Sequence, residues 1–101
     1  MRRSKLEMCV DILNVLAYRG PLKLTRVMSK ANVNCRVLKD YLDFLTKQGL
    51  VEAKIVRRER KVYVITQRGV TVLKQLRELK ELLPIVEETV NEGRNQELYL
   101  F

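Results

Sequence analysis

The chain has 101 residues, is 47% hydrophobic, and carries a net charge of +8 with an isoelectric point near 9.8. That is apolar material for one core and too little for two catalytic domains, and the cationic excess favours a polyanionic partner. Histidine is absent, the two cysteines are isolated, and no glycine-rich phosphate loop or paired nucleophile occurs, so the sequence predicts no enzyme, no metal, no cofactor and no small-molecule substrate.

The start, Met1-Arg2-Arg3-Ser4-Lys5 followed by an apolar run, has the outline of a secretory signal, but Glu7, Asp11 and Asn14 interrupt the run and no small-residue cleavage site follows. It reads as a helix of the mature protein. Nothing reaches transmembrane length, so no membrane partner is expected, and unpaired Cys9 and Cys35 fit a reduced, cytoplasmic chain. Ser4 and Glu7 form a capping box for the first helix. Its inner face is Leu6, Val10, Leu13 and Leu16 or Ala17, and it ends at Arg19-Gly20. Pro21 to Lys23 is a connector. A second helix runs from Thr25 to Lys30 or Ala31, with Leu24, Val27, Met28 and Ala31 as its apolar members. Asn32-Val33-Asn34 forms a tight turn, and Asn34 caps a third helix from Cys35 to Gln48. Two short helices so joined make a helix-turn-helix.

On the third helix Leu38, Tyr41, Leu42 and Leu45 face inward, while Arg36, Lys39, Asp40, Asp43 and Lys47 face out. Side chains at the start of such a helix reach base edges or phosphates, here Asn34, Cys35, Arg36 and Lys39. Cys35, in the first turn among cations, is read as an ordinary small residue, the alternative being a reactive thiol. Asp40 and Asp43 are repelled by phosphate unless they pair with Arg36, Lys39 or Lys47, or accept from a cytosine amino group.

Gly49 stops the helix, and a basic hairpin follows from Lys54 to Lys61. Arg57-Arg58-Glu59-Arg60-Lys61 sets four cations in five residues at its tip, a density that a polyanion would neutralise. Val51, Ala53 and Ile55 on one strand and Tyr63 and Ile65 on the other are expected to face the core. The second strand ends at Thr66, which caps a long final helix. The fold class is therefore mainly α with a small β-hairpin, a winged helix-turn-helix over residues 1–70.

In the final helix Val72, Leu76, Leu79, Leu83, Val86 and Val90 are spaced 4, 3, 4, 3, 4, an unbroken heptad seam. Leu73 lies off the seam and is free to pack on the body. A domain this small has little core left to cover such a stripe, so residues 71–92 predict dimerisation through a coiled coil, with a kink at Pro84. The tail, residues 93–101, ends Leu98-Tyr99-Leu100-Phe101 and is too apolar for a plain solvated terminus. Residues 1–68 hold 16 Lys and Arg against 6 Asp and Glu, whereas residues 69–101 hold 4 against 6. The cationic field thus belongs to the winged helix.

The run NVNCRVLKDYLDFLTKQGLVEAK (residues 32–54) followed by KVYVITQRGVTVLKQL (residues 61–76) resembles the archaeal winged-helix DNA-binding proteins of about ten kilodaltons, which are associated with chromatin. The likeness extends from residue 4 to about residue 90. It rests on Leu42-x-x-Leu45-x-x-x-Gly49-Leu50 and Tyr63-x-x-Thr66-x-x-Gly69, together with the size, the charge and the long last helix. The resemblance implies a homodimer joined by an antiparallel coiled coil that binds double-stranded DNA with little sequence preference. By position it puts Asn34, Arg36 and Lys39 on the recognition helix and Arg57, Arg58, Arg60 and Lys61 on the wing. The expectation is a nucleoid-associated architectural protein; the alternatives are a sequence-specific transcriptional regulator and a protein-docking winged helix.

Overall fold

The computed structural model describes residues 3–82. In chain order it contains α1 (Lys5–Arg19), α2 (Leu24–Ala31), α3 (Cys35–Lys47), β1 (Val51–Val56), β2 (Arg60–Ile65) and α4 (Gln67–Leu82). The capping box forms as the sequence requires: Glu7 N–H donates to Ser4 Oγ at 3.0 Å, and Ser4 N–H donates to Glu7 Oε1 at 3.0 Å. Helix α1 packs against α2, α3, α4 and β2. Being covered on several sides, it buries Ile12 as well as Val10, Leu13 and Leu16, and leaves Ala17 exposed. A single apolar stripe could not disclose Ile12, which lies off it.

The turn between α2 and α3 uses Asn32 in the left-handed region (φ 57°, ψ 55°), a conformation that Asn tolerates better than most residues. Arg3 secures this corner. Its guanidinium pairs with Asp11 at 2.7 Å and donates to the carbonyls of Ala31 at 2.8 Å and Asn32 at 2.6 Å, tying the start of α1 to the end of α2. Leu38, Leu42 and Leu45 of α3 close the core together with Val27, Val33 and Leu50.

Helix α3 ends in a Schellman arrangement. Gly49 takes φ 76°, its N–H donates to the Thr46 carbonyl at 3.0 Å, and Leu50 N–H donates to the Leu45 carbonyl at 2.9 Å. The chain leaves this turn as β1, which pairs antiparallel with β2 in the register Val51↔Ile65 through Val56↔Arg60. The connector after α1 is more than a linker. Leu22 exchanges two backbone hydrogen bonds with Tyr63, at 3.1 and 2.8 Å, adding one rung on the free edge of β2.

The hairpin corrects one expectation. Val51 is buried and Tyr63 and Ile65 pack on the core, but Ala53 and Ile55 are exposed, and Val62, on the opposite face, is buried instead. Only the base of the ribbon lies over the body, so strand alternation continues past the point where there is a core to face.

Thr66 caps α4 by accepting from Gly69 N–H at 3.0 Å and also donates to the Gly49 carbonyl at 2.7 Å, so one hydroxyl joins the ends of α3 and β2 to α4. A Cβ built on Gly69 would stand 2.2 Å from the Leu50 carbonyl oxygen, which no side chain can occupy. Leu73 is buried in the core. Val72 and Leu76 of the heptad seam are also partly packed against it, and Leu79 is half-buried, whereas Leu82 is exposed. Leu83, Pro84, Val86, Val90 and the apolar tail lie outside the described residues.

Candidate nucleic-acid interface

Two elements carry the predicted contact residues, and Gly49 joins them directly. Helix α3 packs on β1, so the helix and the hairpin it leads into form one unit. At the start of α3, Asn34 caps the helix: its Oδ1 accepts from Val37 N–H at 3.0 Å. The acceptor half of the amide is therefore engaged, leaving Nδ2 outward, so Asn34 is equipped as a donor rather than as a bidentate base reader. Arg36 and Lys39 are exposed, as are Asp40, Asp43 and Lys47 along the same face. Among the described residues no ion pair within 4.0 Å involves Asp40 or Asp43. The intrahelical pairing that the sequence allowed is not made, and both carboxylates stand free on the outward face.

The wing is built differently. After the last rung, Val56↔Arg60, the ribbon reverses through Arg57, Arg58 and Glu59. Arg58 (φ 57°, ψ 37°) and Glu59 (φ 60°) are both left-handed, each at a cost of roughly 1 kcal/mol or more for a residue with a Cβ. All residues from Arg57 to Lys61 are exposed. Arg57, Arg58 and Arg60 line an open concavity with Val56. Lower on the ribbon, Lys61 Nζ lies 5.5 Å from the centre of the Tyr63 ring, and Lys54 lies 3.6 Å from Glu52. Arg57, Arg58 and Arg60 make no such pair among the described residues, so three guanidinium groups project together with their charge uncompensated.

Sequence reasoning missed the apolar component of this surface. Ile55 is 67% exposed and Val56 44%, immediately before the arginine run, and Phe44 on α3 is 51% exposed. The available signal was the pair of apolar residues directly before a charged hairpin tip. Cys35 is partly exposed at the first position of α3, and Cys9 is partly buried. Burial pushes the Cys9 thiol up to about 11, so it is protonated at neutral pH.

Among the described residues no helix is long and apolar enough to cross a membrane. The model of the family described as winged helix-turn-helix matches residues 2–84. The chain belongs to that family. It is 32% identical to Sso10a-2, a DNA-binding protein from Sulfolobus solfataricus, with a TM-score of 0.65; the match covers 89% of this chain and 95% of that one. It is 28% identical over 82 residues to an uncharacterised protein of Methanocaldococcus jannaschii, 81% of this chain and 78% of that protein. A MarR-family transcriptional regulator from Silicibacter pomeroyi shares the fold at 23% identity and a TM-score of 0.64, over 68% of this chain. The winged helix spans only 47% of that regulator.

Proposed function

We propose that this winged helix binds duplex DNA with little sequence preference and acts as a homodimeric architectural protein of the chromosome. The observation that carries the reading is the wing: three unpaired guanidinium groups at a strained turn, with Lys61 exposed on the adjoining strand, beside a helix whose outer face is nearly neutral. Phosphate contact is sequence-independent and is made by the groups the wing supplies, whereas bidentate readers on α3 are few once Asn34 serves as a cap. In this reading Arg57, Arg58, Arg60 and Lys61 neutralise phosphates, and Arg36, Lys39 and the Nδ2 of Asn34 set the helix in the groove. The likeness to a DNA-binding protein of Sulfolobus over almost its whole length supports it.

Dimerisation through Val72, Leu76, Leu79, Leu83, Val86 and Val90 would supply the second DNA attachment that bridging or coating requires. Leu79 and Leu82 leave apolar surface on α4 for that partner, while Val72 and Leu76 already rest partly on the body. A location on the chromosome in the cytoplasm follows from the same reading. A sequence-specific regulator is the second reading, favoured by one observation: the free carboxylates of Asp40 and Asp43 suit cytosine amino groups, which donate in the major groove.

Electrophoretic titration on one random and several genomic fragments, at several salt concentrations, separates the readings. Affinity is expected to fall log-linearly with salt by about 0.9 log unit per decade for each phosphate contacted, and replacing Arg58 and Arg60 together by Ala should flatten the slope by about two contacts. An unchanged slope removes the wing from the DNA surface. One fragment bound ~10³-fold tighter than random DNA makes the protein a regulator, and no binding makes it a docking module. Sedimentation at twice the monomer mass is the expected companion result; a monomer removes bridging.

A further inference from the structure

We infer that the wing has an apolar as well as an ionic function: Ile55 and Val56 rest against deoxyribose at the mouth of the groove that the arginine tip enters. The inference rests on the duplex-binding reading above and adds a salt-independent part to it.

Ile55 and Val56 are neighbours on β1, so they project from opposite faces of the ribbon. Each has a cation directly across the ladder. Ile55 pairs with Lys61 and Val56 with Arg60, and the turn beyond them carries Arg57 and Arg58. Both faces of the ribbon therefore present the same order, an apolar side chain flanked by positive charge. Val56 also forms the apolar wall of the concavity that Arg57, Arg58 and Arg60 line.

A nucleic-acid groove has the complementary order. Its rims are phosphates, and the walls just inside are the C–H faces of deoxyribose. The minor groove is about 6 Å wide, too narrow for a two-stranded ribbon with side chains on both faces but wide enough for an extended arginine. When the tip guanidinium enters, the ribbon stops at the mouth, and the residues one rung back meet the sugars. Those residues are Ile55 and Val56. Ile55 and Val56 are both exposed and consecutive in the chain at the base of the arginine tip, where no core covers them. Exposed apolar side chains adjoining a cluster of cations match an amphipathic, polyanionic wall, and charge complementarity selects DNA over a second copy of this equally cationic wing.

The test compares Ile55→Ala, Ile55→Lys and the double Arg58→Ala, Arg60→Ala variant with wild type, by salt titration on a random duplex and by sedimentation. Ile55 lies largely in solvent, so its variants should retain the wild-type thermal midpoint. Ile55→Ala is expected to weaken binding about five- to tenfold at every salt concentration while leaving the slope unchanged. Ile55→Lys distinguishes apolar contact from charge alone: it should weaken binding, whereas on a purely ionic surface it would strengthen binding and steepen the slope. Wild-type affinity in Ile55→Ala, alongside a flattened slope in the arginine variant, overturns the apolar contact and leaves DNA binding by the wing standing. A fall in sedimenting mass in Ile55→Ala makes the patch a contact between copies and also overturns it. No duplex binding by the wild type defeats the underlying reading as well.

Discussion

Helix α3 and the wing are separated by the turn at Gly49, yet they manage charge and strain in opposite ways. Helix α3 buries Leu38, Leu42 and Leu45 almost completely, is capped by Asn34 at one end and closed by the Gly49 turn at the other, and carries Arg36, Lys39 and Lys47 against Asp40 and Asp43. The wing buries nothing at its tip, holds two non-glycine residues in left-handed backbone, and sets four cations against Glu59. Stability resides in the first element and electrostatic field in the second. Separating them has a physical advantage. In the proposed reading, residues that meet phosphate need not also pack, and residues that pack need not carry the charge that phosphate contact requires.

A core substitution gives the largest effect and tests the separation most severely. Leu42→Ala removes a side chain that is 1% exposed at the centre of the α3 contact and should destabilise the fold by about 2–5 kcal/mol, read from a denaturant midpoint. The Arg58→Ala, Arg60→Ala variant, which is expected to weaken DNA binding under the proposed reading, should move that midpoint by no more than about 0.5 kcal/mol. If the wing variant destabilises the protein as much as Leu42→Ala does, the tip is part of the folding unit and the comparison fails.

The two elements also differ in how much of them could be read from the sequence. Helix α3 was legible to its ends because Leu38, Leu42 and Leu45 repeat at helical spacing between an asparagine cap and a glycine stop, and the cap and the stop act within a few residues. The hairpin was legible in position but not in burial. Strand alternation shows which residues share a face, but not where along the ribbon the body ends, so the pattern points Ile55 inward and does not disclose the burial of Val62. Ile12 and the Leu22–Tyr63 rung were hidden for the same reason, since each depends on a neighbour far away in the chain. The candidate contact residues rest on charge and, for Asn34, on its place at the start of α3. The Asn34 cap follows from the sequence and forms, but that Asp40 and Asp43 stay unpaired is a fact of geometry that composition does not carry.

A smaller effect sharpens the comparison from the α3 side. Asn34→Ala deletes the bond to Val37 N–H and should cost about 1 kcal/mol of stability, whereas Asn34→Asp, which keeps the acceptor, should retain most of it. The two variants divide the cap from the groove contact. Asn34→Asp replaces the outward donor by an anion and should weaken DNA binding while preserving the fold. Equal affinity in Asn34→Asp and wild type would confine Asn34 to capping and leave Arg36 and Lys39 as the residues at the start of α3 that meet DNA.

The smallest expected effect comes from the turn itself. Arg58 holds φ 57° and ψ 37°, a conformation that glycine adopts without the steric cost of a Cβ. Arg58→Gly relieves that cost but gives the unfolded chain more freedom, and the two terms partly offset, so a net stabilisation of about 0.5 kcal/mol is expected. In the proposed reading the same change removes one phosphate contact and should lower the salt slope by about 0.9. Stability and affinity then move in opposite directions from a single substitution. Arg58→Ala is the control, because alanine keeps the left-handed cost while losing the guanidinium: its slope should match that of Arg58→Gly, without the gain in midpoint. If Arg58→Gly lowers the midpoint instead, the left-handed turn is held by favourable contacts of the Arg58 side chain rather than by the tightness of the hairpin, and the wing tip would belong with α3 among the elements that stabilise the fold.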